Sequence, residues 1–179
     1  MSEKFEELSE KHIEFIQNQH IFFVGTADTE GFVNVSPKGM DSFRVVDNRK
    51  ILWLNLTGSG NESAAHVLAQ SRMTIMFCSF DKQPLILRLY GDAKVIHPRD
   101  KSWDDLNSLF PDYVSARQIF ELDLELVQTS CGYAVPLYNL EGERSTLQKW
   151  ADKRGRQGTK EYWKEKNQVS LNGKPTGIL

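Results

Sequence analysis

The chain has only two cysteines, Cys78 and Cys131. They lie far apart in apolar surroundings and outside any CxxC pair, which excludes a disulfide framework and reads as two reduced core thiols. No apolar run approaches the roughly 20 residues a bilayer span requires, and the opening Met-Ser-Glu-Lys-Phe-Glu-Glu lacks the basic-then-apolar order of a secretory leader. A cytoplasmic protein with no membrane partner is the expectation. Basic charge is not in surplus either: 22 Lys and Arg stand against 24 Asp and Glu, a net charge of −2. That excludes a general nucleic-acid binder, whose phosphate contacts need an excess of cations. The four histidines, His12, His20, His66 and His97, show no metal-ligand spacing, so no metal is expected. No Gly-x-Ser-x-Gly elbow occurs, and nothing nominates a Ser-His-Asp or Cys-His pair.

With 40% hydrophobic residues the chain can bury the core of one globular domain. Phe5, Leu8, Phe15 and Ile16 recur at helical spacing, predicting an amphipathic helix from Glu3 to Gln19. Strands then dominate. Ile21 to Ala27 and Phe32 to Val35 read as a hairpin across Asp28-Thr29-Glu30-Gly31, and Phe43 to Val46 with Ile51 to Leu56 as a second. A short helix over Glu62 to Gln70, with Asn61 as its N-cap, precedes long strands at Met73 to Phe80 and Leu85 to Ile96, the latter with a bulge at Gly91. Roughly six strands without crossover helices predict a mainly β (α+β) fold, an antiparallel barrel with peripheral helices, because closure removes exposed edges. Pro98 is expected to open a helix through Leu109, and Gln118 to Val127 to form one more strand. After Cys131 the composition shifts toward glycine, tyrosine and charge. Ser145-Thr146-Leu147-Gln148 has capping-box form, predicting a helix to Gly155, with another from Thr159 to Lys166 and an extended tail.

The chemistry-bearing segments are Val33-Asn34-Val35-Ser36-Pro37-Lys38-Gly39 and Trp53 to Asn61. One strand ends in a hydroxyl and an ammonium. The other runs into Gly58-Ser59-Gly60-Asn61, whose amides open a helix, an arrangement suited to a phosphate. The glycines belong neither to a P-loop, which needs Gly-Lys-Ser/Thr, nor to a dinucleotide fingerprint, which needs a third glycine in a βαβ unit. Taken alone they also fit an ordinary tight turn.

Arg88 alternates onto the face of Ile86 and Tyr90, so it needs either a carboxylate or an anionic ligand. Trp53 and Phe43 fit either a core or a stack on a planar ring. The cations between Lys149 and Lys166 fit a solvated helix face or a phosphate-facing surface.

On the segments Val33 to Gly39, Gly58 to Asn61 and Leu87-Arg88-Leu89-Tyr90-Gly91, the chain resembles the pyridoxamine 5'-phosphate oxidase-like FMN-binding split barrels, with Ile13 to Ile96 as the barrel. The resemblance implies residues 1–130 as the FMN-binding barrel and 131–179 as a helical extension packing on it or on a partner. It implies a homodimer holding FMN at the subunit interface. Asn34, Val35 and Ser36 would run beside the flavin ring, Lys38 would serve the phosphate or ring edge, and Leu54 and Asn55 would flank the ribityl chain. Ser59, Gly60 and Asn61 fall where the oxidases carry a Ser-Arg-Lys phosphate clamp, with Arg88 as an additional candidate cation. Gly60 and Asn61 thus replace two cations, and Val33 replaces the arginine that opens the first oxidase motif. The tail from Asn167 to Leu179 lacks the arginine- and histidine-bearing segment that holds the pyridoxal substrate, so an authentic pyridoxamine phosphate oxidase is not expected. The implied activity is an oxidoreductase that moves electrons or hydride between NAD(P)H and a small molecule. The alternatives are a non-catalytic flavin module and a haem-binding barrel using His66.

Overall fold

In the computed structural model, which describes residues 2–179, the elements are β1 (Glu3–Phe5), α1 (Glu10–Gln17), β2 (Phe22–Thr26), β3 (Asn34–Lys38), β4 (Phe43–Asp47), β5 (Lys50–Leu56), α2 (Glu62–Ala69), β6 (Arg72–Cys78), β7 (Ile86–Ile96), α3 (Trp103–Asn107), β8 (Ala116–Ser130) and α4 (Thr146–Lys166). All eight strands join one antiparallel sheet in the order β3-β2-β6-β7-β8-β5-β4, with β1 on β8. The sheet is not closed. It nonetheless curls back on itself, since Phe22 of β2 and Phe43 of β4, near opposite ends of that order, bring their rings to 5.1 Å, and both meet Phe77 of β6. This is a split barrel, mainly β with peripheral helices.

Strand burial follows position in the curl. β2 alternates buried and half-buried residues, whereas β5 is buried on both faces from Ile51 to Asn55. One face of β5 sends Ile51 and Trp53 into the barrel interior with Ile75, Leu89 and Phe120. The other sends Leu52 and Leu54 into a second cluster with Ile119 and Phe110, flanked by Trp103 and Leu106 of α3. Across the β5–β8 pair Trp53 lies opposite Phe120, and their rings stack at 4.7 Å. Gly91 marks a register shift in the β7–β8 ladder, where a Cβ would stand 1.9 Å from the Asp123 carbonyl oxygen, so the bulge needs glycine.

Several expectations are corrected. The predicted helix from Glu3 splits, because β8 outruns β5 and its residues Val127 to Thr129 take Glu3–Phe5 as a short strand. The helix then starts at Glu10, where Ser9 and His12 form a reciprocal capping box. β3 lies about two residues later than predicted. One unexpected strand, β1, joins those the sequence marked, and the strand expected over Gln118 to Val127 is β8, longer at both ends and placed between β7 and β5. Pro98 opens no helix. The Asp100 carboxylate accepts the His97 amide at 2.8 Å and closes a turn there, and α3 covers only Trp103–Asn107. Ser145 makes no side-chain cap, but the helix expected to Gly155 and the one expected from Thr159 are present as the two limbs of α4, which meet at a kink at Gly155 (φ 68°). No helix among the described residues is long and apolar enough to cross a membrane.

The segment after α4 folds back over the start of α2. Val169 bridges Pro175, the Thr176 amide donates to the Gln168 carbonyl, and the Arg99 guanidinium holds the Gly177 and Ile178 carbonyls. Lys174 pairs with Asp28 in the β2–β3 connection.

Candidate functional site

A cleft of about 1080 Å³ opens beside β5. Its floor takes Lys38 from the end of β3 together with Leu54 and Asn55 from β5, Gly58 stands at its edge, and Phe80, Tyr138 and Trp150 are on its walls. Of the residues the resemblance assigns to the cofactor, the cleft gathers Lys38, Leu54 and Asn55, and Trp53 and Gly58 line it beside them. Asn34 and Ser36 share a face of β3 with Lys38 but lie toward α2, where the Asn34 amide donates to Ser63 Oγ at 3.3 Å and to Ser36 Oγ at 3.5 Å. Val35 is on the opposite, exposed face. Arg88 does not line the cleft; half-buried, it donates to Ser130 Oγ at 3.1 Å. No carboxylate pairs with it among the described residues, and a hydroxyl on the neighbouring strand takes one of its hydrogen bonds.

Gly58, Ser59 and Gly60 are exposed, and Asn61 is 2% exposed. Asn61 makes no side-chain cap to α2. It exchanges hydrogen bonds with Gln118 instead, Gln118 Nε2 to Asn61 Oδ1 at 3.0 Å and Asn61 Nδ2 to Gln118 Oε1 at 3.3 Å. The Asn61 side chain is therefore engaged as a buried brace, while its backbone amide is not.

The turn's carbonyls all face one clasp. Asn167 Nδ2 donates to the Gly58 oxygen at 3.1 Å and the Ser59 oxygen at 3.4 Å, and the Arg117 guanidinium donates to the Gly60 oxygen at 2.9 Å. The same guanidinium nitrogen donates to Asn167 Oδ1 at 2.8 Å. Thr57, one residue before the turn, accepts from Trp163 Nε1 of α4 at 2.9 Å. Among the described residues, the amides of Gly58, Ser59, Gly60 and Asn61 donate to no acceptor.

Arg117 was not recognised in the sequence. It is 3% exposed, its Nε has no partner, and among the described residues no carboxylate lies within ion-pair distance. Burial pulls its pKa down to about 10. A buried guanidinium without a counter-ion is costly, and it leaves positive potential behind an exposed row of amides. Lys38 is a second such group: burial first, then the charge of Arg117, lowers its ammonium to about 8, and its Nζ stands 5.2 Å from the Trp53 ring centroid. The two cations repel each other, and neither is ion-paired among the described residues, although Asp81 and Glu143 also line the cleft and the Glu62 carboxylate stands beside Gly60. Alternation along β8 carried the one available signal, an arginine directly before the strand residues Gln118 to Val127 that the sequence marked.

His66 is buried on α2 with its Nδ1 3.1 Å from Thr26 Oγ1, and it does not line the cleft. Cys78 is buried and Cys131 half-buried, both free.

The model of the family described as pyridoxamine 5'-phosphate oxidase matches residues 8–131. A curated relative, the pyridoxamine 5'-phosphate oxidase family protein ustO of Aspergillus flavus, is 37% identical over 147 residues, covering 79% of this chain and 59% of the relative. The chain thus spans about three fifths of that relative's length. Among solved structures, a candidate pyridoxamine 5'-phosphate oxidase from Lactobacillus delbrueckii superposes with TM-score 0.57 at 22% identity, over 69% of this chain and 94% of that one. An FAD-binding protein from Mesorhizobium loti superposes with TM-score 0.51 at 12% identity, over 72% of this chain and 97% of that one. At such identities these structures share the fold. With the family model covering more than half of the sequence, this chain belongs to the pyridoxamine 5'-phosphate oxidase family.

Proposed function

We propose that the protein binds FMN and acts as an oxidoreductase, passing electrons or hydride between a reduced nicotinamide cofactor and a small molecule. The observation that carries this reading is the uncompensated pair of cations. Arg117 lies behind the glycine turn, where it holds the Gly60 carbonyl, Lys38 lines the cleft, neither has an ion-pair partner among the described residues, and the backbone amides of Gly58 to Asn61 donate to no acceptor there. Each charge-assisted hydrogen bond to a phosphate contributes ~1.5–3 kcal/mol, so amides and two cations suit the dianionic end of FMN even though Gly60 and Asn61 replace the oxidases' clamp.

The adjoining cleft is of a size and apolar character suited to a planar ring, since ligand sites of a few hundred to about 1,000 Å³ enclose drug-sized molecules. Leu54 and Asn55 would bound the chain that links ring to phosphate, and Lys38 would neutralise charge at its end. The flavin, when bound, supplies the two-electron chemistry; the protein's residues orient it and set the electrostatics around it. Family kinship and the flavin-type ligand named for the Mesorhizobium loti protein support the same class of cofactor.

A homodimer belongs to the proposal. Phe32 and Val33, which lead into β3, are each 71% exposed, and Val35 within it is 66% exposed; β3 is an edge strand of the open sheet, and an apolar edge of this kind is suited to cover by a second copy.

The test is the absorption spectrum of purified protein after incubation with FMN, followed by anaerobic addition of NADH or NADPH. Retained FMN that bleaches with nicotinamide supports the oxidoreductase. Retained FMN that no nicotinamide reduces leaves a flavin-binding module, and a protein that stays colourless at saturating FMN overturns the reading.

A further inference from the structure

The C-terminal segment lies outside the residues matched by the family model, yet its Asn167 donates to the carbonyls of Gly58 and Ser59 and accepts from Arg117. Asn167 is 0% exposed. Its carboxamide occupies the position against Arg117 where a buried guanidinium ordinarily finds a carboxylate. Its backbone carbonyl is fixed in turn by Thr176 Oγ1 at 2.6 Å and by Asn61 Nδ2 at 3.5 Å. Thr176 is 0% exposed as well, so the position of Asn167 is set from both sides.

The chemistry of the amide matters more than its shape. A carboxylate at this position would pair with Arg117 and extinguish its charge, whereas a carboxamide satisfies one donor and leaves the net charge intact. The amide's nitrogen also takes two carbonyls of the turn, which a carboxylate oxygen would repel.

Building on the FMN reading, we propose that Asn167 is a positioning residue for the phosphate end of the ligand. It holds the carbonyls of Gly58 and Ser59 away from the ligand and keeps Arg117 without a counter-ion, so that preference for a phosphorylated flavin over a neutral one is set from the C-terminal segment. The segment, and not the barrel alone, then determines specificity.

The experiment titrates the full-length apoprotein with FMN and with riboflavin, which differ by the phosphate alone. Wild type is expected to favour FMN by about tenfold or more, the gain of at least one charge-assisted contact. In Asn167→Asp that preference should fall to about twofold or less, while riboflavin affinity stays within about twofold of wild type, because the internal carboxylate now neutralises Arg117. A purely structural role for Asn167 predicts a different pattern, with both flavins weakened in proportion, the FMN-to-riboflavin ratio preserved and the Tm lowered; that pattern overturns the proposal. Where Asn167→Asp does not fold, Arg117→Gln decides: it removes the charge and keeps the amide, and a wild-type ratio in this variant also overturns the proposal. A wild type that binds riboflavin as tightly as FMN removes the phosphate from the turn altogether, and the reading of the preceding subsection falls with the proposal. Loss of discrimination confined to the variants leaves both standing.

Discussion

The barrel interior and the clasp over the glycine turn are equally dry but are held by opposite kinds of contact. Around the stacked Trp53 and Phe120, the residues Ile51, Ile75, Leu89 and Leu122 are all 0% exposed and meet carbon to carbon. Around Asn167, the residues Gln118 and Thr176 are 0% exposed and Arg117 is 3% exposed, and they meet through directional hydrogen bonds. Non-directional packing tolerates hydrophobic exchange when volume is kept. A buried polar cluster does not, because every partner removed strands another group away from water. The packed interior around Trp53 is satisfied by carbon contacts alone, whereas the clasp retains a net positive charge and the unpartnered Arg117 Nε.

Mutation should separate the two regions by size and by kind of effect. The largest loss of stability is expected from Phe120→Ala, which removes a ring from the centre of the packed interior and costs about 3–5 kcal/mol by urea unfolding. Flavin ratios should be unchanged in the folded fraction, since the ring touches Trp53 and not the turn. A smaller loss than about 1 kcal/mol would mean that the interior relaxes far more readily than its packing implies.

Acid should attack the far end of the clasp. His97 is 4% exposed with no partner for Nδ1, and burial, helped by Arg99 and opposed by Asp100, holds its imidazole down at about 4. Between that value and the ordinary 6.5 the unfolded chain binds the additional proton, so stability is full above pH 6.5 and is lost as pH falls toward 4. The shift corresponds to about 3 kcal/mol at its lower limit. His97→Leu should flatten the change in urea midpoint between neutral and mildly acid buffer. An unchanged acid slope in this variant would assign the loss to the carboxylates instead.

Next in size is Gln118→Leu, which leaves the buried Asn61 amide without its exchange partner and costs about 1–3 kcal/mol. The double variant Asn61→Leu/Gln118→Leu should recover part of that loss, since neither group is then stranded. Losses that simply add would show that the two amides are not coupled in the folded protein.

These contrasts also explain what could be seen in the sequence. Hydrophobic periodicity identifies β2, β4, β5, β6 and β7 because each presents an apolar face to the interior, and the glycine turn stands out because glycine is rare inside elements. The short strand Glu3–Phe5 was hidden because it exists only where β8 extends beyond β5, a tertiary fact absent from local pattern. Pro98 misled for a related reason: an aspartate two residues on closes a turn, and no cap or apolar stripe follows to sustain a helix. Lys38, Leu54 and Asn55 could be named from the segments that carry the family resemblance, and the fold brings them to one cleft. Arg117 and Asn167 could not. They are 50 positions apart, and the signal that identifies them is a missing counter-ion, which belongs to three-dimensional surroundings and leaves no periodic trace.

The smallest effect on stability is expected at Lys38, and it bears most directly on which region holds the phosphate. Its ammonium is lowered to about 8 by burial and by Arg117, so between there and 10.5 the unfolded chain holds the additional proton and stability rises with pH across that window. Lys38→Met should therefore leave stability at neutral pH unchanged or slightly raised, since it removes a charge that folding has already desolvated. Ligand affinity runs the other way. A phosphate dianion favours the protonated amine, so FMN binding should weaken as pH rises beyond about 8, by up to roughly tenfold per pH unit, while riboflavin binding follows no such trend. In Lys38→Met the gap between the two ligands should become flat with pH in isothermal titration. A wild-type gap already flat from neutral to alkaline pH would move the phosphate away from Lys38 and leave Arg117 and the turn amides as its only support.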